Sequence, residues 1–128
     1  RDKDMTRTPD LPSCRARIWS AYRSLAPLLR EMLRIRTFLR GSVYELKTRC
    51  GKPSCVCLRG KPHRRWVLTE SVEGRKRLRV LPRDEEELWC RRAADYRLFR
   101  RRRAELVKTV RRILEDIDAI ERAQRRSL

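Results

Sequence analysis

Two stretches of the chain carry apolar residues at helical spacing, and they enclose a stretch that does not. The first begins at Ser13 and ends before Gly41, a residue type that commonly terminates helices. Pro27 lies inside it and lacks a backbone donor, so we expect a kink there, or two helices instead of one. Apolar positions three, four or seven apart predict an amphipathic face. That stripe consists of Ile18, Tyr22, Leu25, Leu29, Met32 and Leu39.

The second helical stretch follows an acidic run that opens at Asp84 and suits the positive end of a helix dipole. Neither Gly nor Pro occurs after Asp84, so one long helix is predicted. Its spacing, interrupted at Arg92 and Arg103, is typical of a coiled-coil seam and equally of the core of a single chain. The stripe consists of Trp89, Tyr96, Phe99, Leu106, Val110, Ile113, Ile117 and Ile120.

The stretch between the helices predicts three short antiparallel strands, at 43–48, 66–72 and 77–81. Glu73 and Gly74 form a tight turn between the last two. The predicted organisation is a flexible lead-in at 1–12, an N-terminal helix at 13–40, a β unit at 42–82 and a C-terminal helix at 84–126.

The β unit contains three cysteines and the single histidine of the chain within fourteen residues. Three thiolates and an imidazole are the donors of a tetrahedral Zn²⁺ site, and the glycines and prolines among them favour the chain reversals that such a site requires. The predicted zinc ligands, in a spacing unlike paired Cys-x2-Cys zinc knuckles, are Cys50, Cys55, Cys57 and His63. The predicted fold class is therefore α+β, mostly α: two long antiparallel helices with a small zinc-bound three-stranded β unit between them.

Other interpretations of these cysteines stay open. Cys55 and Cys57 have basic neighbours that lower thiol pKa values, so they could form a redox pair. His63 could be a loop residue, with the fourth ligand supplied from elsewhere. Cys14 and Cys90 lie in helical stretches and are interpreted as apolar packing residues.

The net charge of +18 points to a polyanionic partner. Residues 40–83 carry 13 Lys and Arg against 3 Asp and Glu, so the excess concentrates around the cysteines. Trp66 could stack on a base or pack under the sheet, and the run 100–103 could face a polyanion or solvent. The predicted nucleic-acid contacts are Arg40, Lys47, Arg49, Lys52, Arg59, Lys61, Arg64, Arg65, Trp66, Arg75, Lys76, Arg77, Arg79, Arg100, Arg101, Arg102 and Arg103.

Catalysis is not predicted. A site with four protein ligands leaves no open position for substrate, and no nucleophile with a base, phosphate-binding glycine loop or carboxylate cluster is evident. No apolar run has the length of a membrane span or a signal peptide, so we expect a cytoplasmic protein with no membrane partner. In that reducing compartment, five cysteines argue against a disulfide framework.

Several of these residues resemble a family of short uncharacterised prokaryotic proteins, described only as a domain of unknown function. The likeness covers roughly 40–125, and it rests on Gly41-Ser42-Val43, Cys50-Gly51-Lys52-Pro53, Cys55-Val56-Cys57, Gly60 and Pro62-His63. Members look like passengers of mobile elements, which implies DNA or RNA as the polyanion.

The sequence therefore predicts a zinc-stabilised, basic protein that binds DNA or RNA as an accessory subunit of a mobile-element or nucleoprotein complex. The alternative is a coiled-coil adaptor for an acidic protein partner. In either case, the C-terminal helix is expected to form a homodimer or to dock onto a larger protein.

Overall fold

The computed structural model describes residues 10–125, and its elements confirm the α+β, mostly helical class. Along the chain, one helix precedes and one helix follows a three-stranded sheet. The chain divides into two compact units. The helical unit comprises 10–34 and 99–125 of the described residues, and the metal unit comprises Ile35–Leu98. The elements are α1 (Leu11–Met32), β1 (Gly41–Thr48), β2 (His63–Val72), β3 (Arg75–Val80) and α2 (Glu86–Gln124).

The sheet is antiparallel with the strand order β1-β2-β3. The predicted turn joins β2 to β3, since Val72 pairs with Arg75 across only two residues. Both turn residues have positive φ, 53° at Glu73 and 76° at Gly74, as the tightest hairpin turns require. β2 begins at His63, earlier than predicted, and this places the histidine in the sheet.

The core of the metal unit lies on one face of the sheet. Leu68 of β2 and its cross-strand partner Val43 belong to that face, and Ala93 of α2 packs against it. The cluster is small, so the hydrophobic contribution to this unit is modest. Its buried members are Leu39, Leu68, Leu81 and Ala93, and the half-buried residues packed against them are Val43, Trp66 and Trp89.

The predicted N-terminal helix over 13–40 is wrong at its C-terminal end, because α1 ends at Met32. Leu39 is buried in the core of the metal unit, and its backbone N–H donates to the Arg92 carbonyl at 3.2 Å. β-branched Ile35 and Thr37 are weak helix formers, so burial of Leu39 outweighs helix continuation. Gly41 consequently opens β1 instead of terminating a helix.

The other predicted boundaries shift by smaller amounts. α1 begins at Leu11 with Pro12 in its first turn, a position that needs no backbone donor, and it continues through Pro27 as one helix. α2 begins at Glu86 instead of Asp84. Residues 1–9 of the lead-in predicted over 1–12 lie outside the described residues, as does the last predicted helical residue, Arg126; Leu11 and Pro12 of that lead-in belong to α1.

The helical unit is an antiparallel pair of helices. The Arg17 guanidinium Nη2 of α1 lies 2.8 Å from Asp116 Oδ1 of α2. Each helix contributes a row of buried or half-buried positions spaced three and four apart, which we call the seam. The α1 seam is Leu11, Cys14, Ile18, Ala21, Leu25, Leu28 and Met32. The α2 seam is Phe99, Arg102, Leu106, Thr109, Ile113, Asp116, Ile120 and Ala123.

This seam differs from the predicted stripes at alternate positions. Ile18, Leu25 and Met32 were predicted correctly, but the exposed Tyr22 and Leu29 give way to their neighbours Ala21 and Leu28. On α2, the exposed Val110 and Ile117 give way to Thr109 and Asp116 in the same manner. The polar Asp116 enters the seam because Arg17 supplies its partner.

Candidate metal centre

Three of the five cysteines, Cys50, Cys55 and Cys57, lie in a loop whose two ends are held together by the sheet. Thr48, the last residue of β1, pairs with His63, the first of β2, so the residues between them (49–62, the metal loop) form a closed excursion. Cys55 N donates to Lys52 O at 3.1 Å and completes a turn with Pro at its second position. A short 3-10 helix, Val56–Arg59, follows and ends at Gly60 with φ 88°, a conformation that glycine adopts without strain.

The four predicted ligands meet at one point. The ligand atoms of Cys50, Cys55, Cys57 and His63 all lie within 4.8 Å of one another. Cys50 Sγ is 3.6 Å from Cys57 Sγ, and Cys55 Sγ is 3.2 Å from His63 Nε2. Donors at about 2.0 to 2.3 Å from a tetrahedral ion are roughly 3.3 to 3.8 Å apart, so the set fits around a metal ion with only small shifts.

Hydrogen bonds tune the thiols of this cluster. The pKa of Cys55 is lowered to about 6, chiefly because the Cys57 backbone amide donates to its sulfur, with further bonds from the Cys50 and Cys57 thiols and from His63. The pKa of Cys50 is raised: a backbone hydrogen bond from Lys52 lowers it, but hydrogen bonding with Cys55, desolvation and Cys57 together outweigh that effect. Cys55 is therefore available as a thiolate, the form that binds metal, near neutral pH.

The cluster is sealed on one side and open on the other. Cys57 is fully buried and its sulfur accepts the Cys50 backbone N–H at 3.4 Å, whereas Cys50 and His63 are exposed. A cavity of about 440 Å³ opens beside the ligands. Its lining includes residues that the sequence analysis did not single out, although the two-residue strand period would have placed them on the face that carries His63. They are Leu46, Thr48, Val67 and Val80.

The metal loop and the strand ends beside it carry an unbroken run of positive charge. The segment 46–69 contains seven Lys and Arg and no Asp or Glu, and all seven cations are exposed. Of these, Arg64 has a salt bridge, 3.5 Å from Glu45. We call this set the metal-loop cations: Lys47, Arg49, Lys52, Arg59, Lys61, Arg64 and Arg65.

The three arginines of β3 lie on one face of the sheet, close to acidic residues. Arg75, Arg77 and Arg79 pair with Val72, Glu70 and Leu68, so they share the face of the sheet that carries the core. Arg77 opposes an acidic residue in the register, and Arg79 Nη2 lies 4.0 Å from Glu85 Oε2. Lys76 projects from the opposite face, because side chains alternate along a strand.

The remaining residues predicted to contact nucleic acid lie partly in the metal unit and partly in the helical unit. Trp66 packs against the core, which favours the packing interpretation over base stacking. Arg40 is exposed immediately before β1. Arg100, Arg101 and Arg103 are exposed on the helical unit, but Arg102 is half-buried in the seam and its Nη1 donates to Glu105 Oε2 at 2.9 Å. Within the metal unit, the structure thus brings together the metal ligands and the metal-loop cations.

The other cysteines do not join the site. Cys14 is buried in the seam, as predicted for a packing residue, and its sulfur accepts from Arg17 Nη2 at 3.2 Å. Cys90 is half-buried on α2. Among residues 10–125, one group of cysteine, histidine and acidic side chains is arranged to hold a metal ion.

Comparison with known proteins assigns the chain to a family. The family model described as "Domain of unknown function (DUF6788)" matches residues 18–88, more than half of the chain. The chain belongs to the DUF6788 family. The match includes the whole metal loop, and it begins and ends nearer the N-terminus than the predicted likeness over 40–125. No curated protein and no solved structure matches the chain.

No helix in the described part of the chain combines the length and apolar character that a membrane span requires.

Proposed function

We propose that this DUF6788 protein is a zinc-stabilised nucleic-acid-binding module, and that the metal loop is its phosphate-contacting surface. The observation that carries the proposal is the coincidence of two features in one short segment. The four metal ligands are interspersed along the chain with seven exposed cations, and no acidic residue lies among them. Ordering the ligands around an ion would order the cations as well.

The donor set favours zinc over other metals. Three thiolates with one imidazole in a tetrahedral arrangement suit Zn²⁺, whereas Mg²⁺ and Ca²⁺ prefer oxygen donors. Four protein ligands complete the coordination sphere, so the ion would support the fold without binding a substrate. The proposed role of the ion is therefore structural, and we propose that the protein is not an enzyme.

The register of the sheet supports phosphate as the counter-charge. Lys47 and Arg64 are direct cross-strand partners, and like charges opposite each other destabilise a sheet, an effect that the salt bridge from Arg64 to Glu45 offsets only for Arg64. A phosphate bound between them would relieve that repulsion. Arg65 lies on the other face and lines the cavity beside the ligands with Lys52, so a nucleic-acid backbone could contact both faces at this end of the sheet.

The proposal extends to the setting that the family resemblance implies, an accessory subunit of a mobile-element nucleoprotein complex. The second candidate, an adaptor for an acidic protein, relies on the same exposed cations but does not require phosphate. Nucleic acid is favoured because the exposed cations include four arginines, whose planar guanidinium groups match phosphate oxygens in pairs. RNA and DNA are both compatible with such backbone contacts.

Charge reversal with matched controls tests the function. The variant Lys47→Glu, Arg59→Glu, Lys61→Glu is compared with Arg15→Glu, Arg23→Glu, Arg30→Glu on α1, which changes the net charge equally at exposed positions. Lys47→Glu also places a carboxylate opposite Arg64, so this substitution should not destabilise the sheet. Binding to a fluorescent oligonucleotide is measured across a salt series, and zinc content is measured for each variant.

We expect the metal-loop variant to lose at least tenfold in affinity and to flatten the salt dependence, because each lost duplex phosphate contact reduces the slope by about 0.9. The α1 variant should change affinity by less than threefold. Equal losses in both would mean that charge acts only in bulk, and the proposed surface would be wrong. An acidic protein that binds equally well in nuclease-treated samples would favour the adaptor.

A further inference from the structure

The helical unit has two unlike sides, and one of them is apolar. Each seam residue has a neighbour one position later, rotated by 100° around the helix. Because α1 and α2 are antiparallel, this rotation brings those neighbours to the same side of the pair. On that side, which we call the apolar side, lie Trp19, Tyr22, Ala26, Leu29 and Leu33 from α1, and Val107, Val110, Leu114 and Ile117 from α2, and its ends carry Pro12, Arg15, Arg100, Arg103, Glu121 and Gln124.

Cavities lined by both helices establish the opposite side independently. The residues one position before the seam include Ser20, Ser24 and Glu31 on α1 and Arg112 and Glu105 on α2. Two open cavities, of about 500 and 430 Å³, are lined by these residues of both helices together. The positions one residue before the seam therefore lie together on one side of the helix pair. The positions one residue after the seam must then lie together on the opposite side.

The apolar side exposes more apolar surface than a soluble monomer usually does. Trp19 is 59% exposed, Leu33 is 76% exposed and Leu114 is 52% exposed, and the Trp19 and Tyr22 rings form an edge contact at 5.8 Å. Taken over full side-chain areas of roughly 150 to 250 Å², the exposed residues of this side offer roughly 700 Å². That exceeds the few hundred Å² typical of monomers and is close to the roughly 800 Å² per partner of a stable interface.

The seam itself indicates a missing layer. Among the described residues of the helical unit, only Cys14 is buried, and the other seam residues stay half-buried. A two-helix layer that is apolar on its seam and along one side needs a further layer to complete a core.

We propose that the apolar side is the interface of a homodimer in which two helical units stack into a four-helix bundle. The occupant is a second copy because the charges on α2 are self-complementary. Exposed Arg100 and Arg103 lie at one end of the apolar side, and exposed Glu121 lies at the other, with exposed Asp118 beside it on the rim. A twofold axis across the helices lays α2 antiparallel on the partner's α2, which brings the basic end of each copy onto the acidic end of the other.

Oligomeric state tests the dimer without reference to nucleic acid. The full chain, loaded with zinc and treated with nuclease, is analysed by sedimentation equilibrium between 1 and about 50 µM. We expect twice the chain mass of 15.5 kDa. A monomer over this whole range, or a trimer or larger closed assembly, would overturn the proposal even if nucleic-acid binding is confirmed.

Two variants locate the interface. Leu114→Glu places a charge on the apolar side and should weaken dimerisation by roughly 100-fold, because a buried unpaired charge is costly. Ser20→Glu, an exposed position on the polar side, is its control and should leave the mass unchanged. Equal dissociation by both, with helix content retained, would rule out the apolar side as the interface.

Charge exchange tests the twofold arrangement. Arg100→Glu with Arg103→Glu should weaken the dimer by about tenfold, the scale expected for several rim ion pairs. Adding Asp118→Arg and Glu121→Arg to the same chain should restore it, since the exchanged ends again match. Failure of the exchange to restore the dimer would exclude the antiparallel contact of α2 with α2.

Discussion

The metal unit and the helical unit hold their segments of the chain together by different means. In the metal unit, four ligand atoms within 4.8 Å of one another could hold an ion, which would fasten a loop with no apolar core of its own onto a sheet with a small core. In the helical unit, two long rows of half-buried side chains meet with one buried cysteine among the described residues. A few metal–ligand bonds would do in the first unit what many weak, distributed contacts do in the second.

The comparison shows where each unit is vulnerable. Removal of one ligand should disrupt the metal unit as a whole, because Cys57 is the only buried residue of the metal loop, so an ion would supply most of what holds the loop in place. Removal of one seam residue should weaken the helical unit only in part, because the neighbouring residues of both rows remain. Substitutions of decreasing severity test this difference.

The largest effect is expected from Cys57→Ser, since Cys57 is the fully buried ligand. The variant should lose bound zinc and hydrogen-exchange protection across β1, β2 and β3, while α1 amides keep theirs. Zinc analysis and hydrogen exchange by mass spectrometry measure both outcomes. Cys90→Ala, a half-buried cysteine of the same unit that is not a ligand, is the control and should retain zinc.

Full zinc content in Cys57→Ser would contradict the ligand set, and unprotected α1 amides would show that the two units unfold together. Chelation of the wild-type protein should reproduce the variant, and added zinc should reverse the loss. Protection that survives chelation would mean that the small core suffices without metal.

The cysteine cluster could be predicted from sequence because its constraint is local. Spacing alone placed Cys50, Cys55, Cys57 and His63 within fourteen residues, and the glycines and prolines between them favour the chain reversals that bring four ligands together. The exposure of the neighbouring cations could be predicted from the sequence equally directly. The position of the β3 arginines relative to Glu70 and Glu85 could not be predicted, because it depends on strand register and on the start of α2.

The seam was harder to predict because it depends on contacts between segments far apart in the chain. Stripes through Tyr22 or through its neighbour Ala21 share Ile18, Leu25 and Met32, and hydrophobicity alone favoured the larger side chain. The structure places the small residue inside and the aromatic one outside. Two apolar rows on one helix are the signature of a helix with two neighbours, which a single stripe could not reveal.

A smaller effect is expected from Leu68→Ala in the core of the metal unit. Leu68 is 5% exposed, and such truncations cost about 2 to 5 kcal/mol of the free energy of unfolding. Leu25→Ala, a half-buried seam residue, should cost only about 1 to 2 kcal/mol. Urea titrations of the zinc-loaded proteins measure both losses, and a larger loss for the seam variant would reverse the comparison.

The next smaller effect is expected from Gly41→Ala, which should lower the free energy of unfolding by about 1 to 3 kcal/mol, because a Cβ at this position would collide with the Thr69 carbonyl oxygen. The collision is with backbone, so it cannot be relieved by a rotamer change, and the β1–β2 pairing must shift. Ser42→Ala, exposed on the same strand, is the control. Thermal unfolding monitored by circular dichroism checks the pair, and equal melting temperatures would show that the strands accommodate the extra carbon.

The smallest effect is expected at the ion pair that joins the two helices of the helical unit. The pKa of Arg17 is raised, first by its hydrogen bond to Asp116, so the pair favours the charged guanidinium. Arg17 is exposed, however, and solvent and salt screen such pairs. Arg17→Ala should therefore lower the melting temperature less than Leu68→Ala does, and the difference from wild type should shrink between 0.05 and about 0.5 M salt. A salt-independent loss would mean that packing of the Arg17 stem on the seam, and not its charge, holds the helices together at this point.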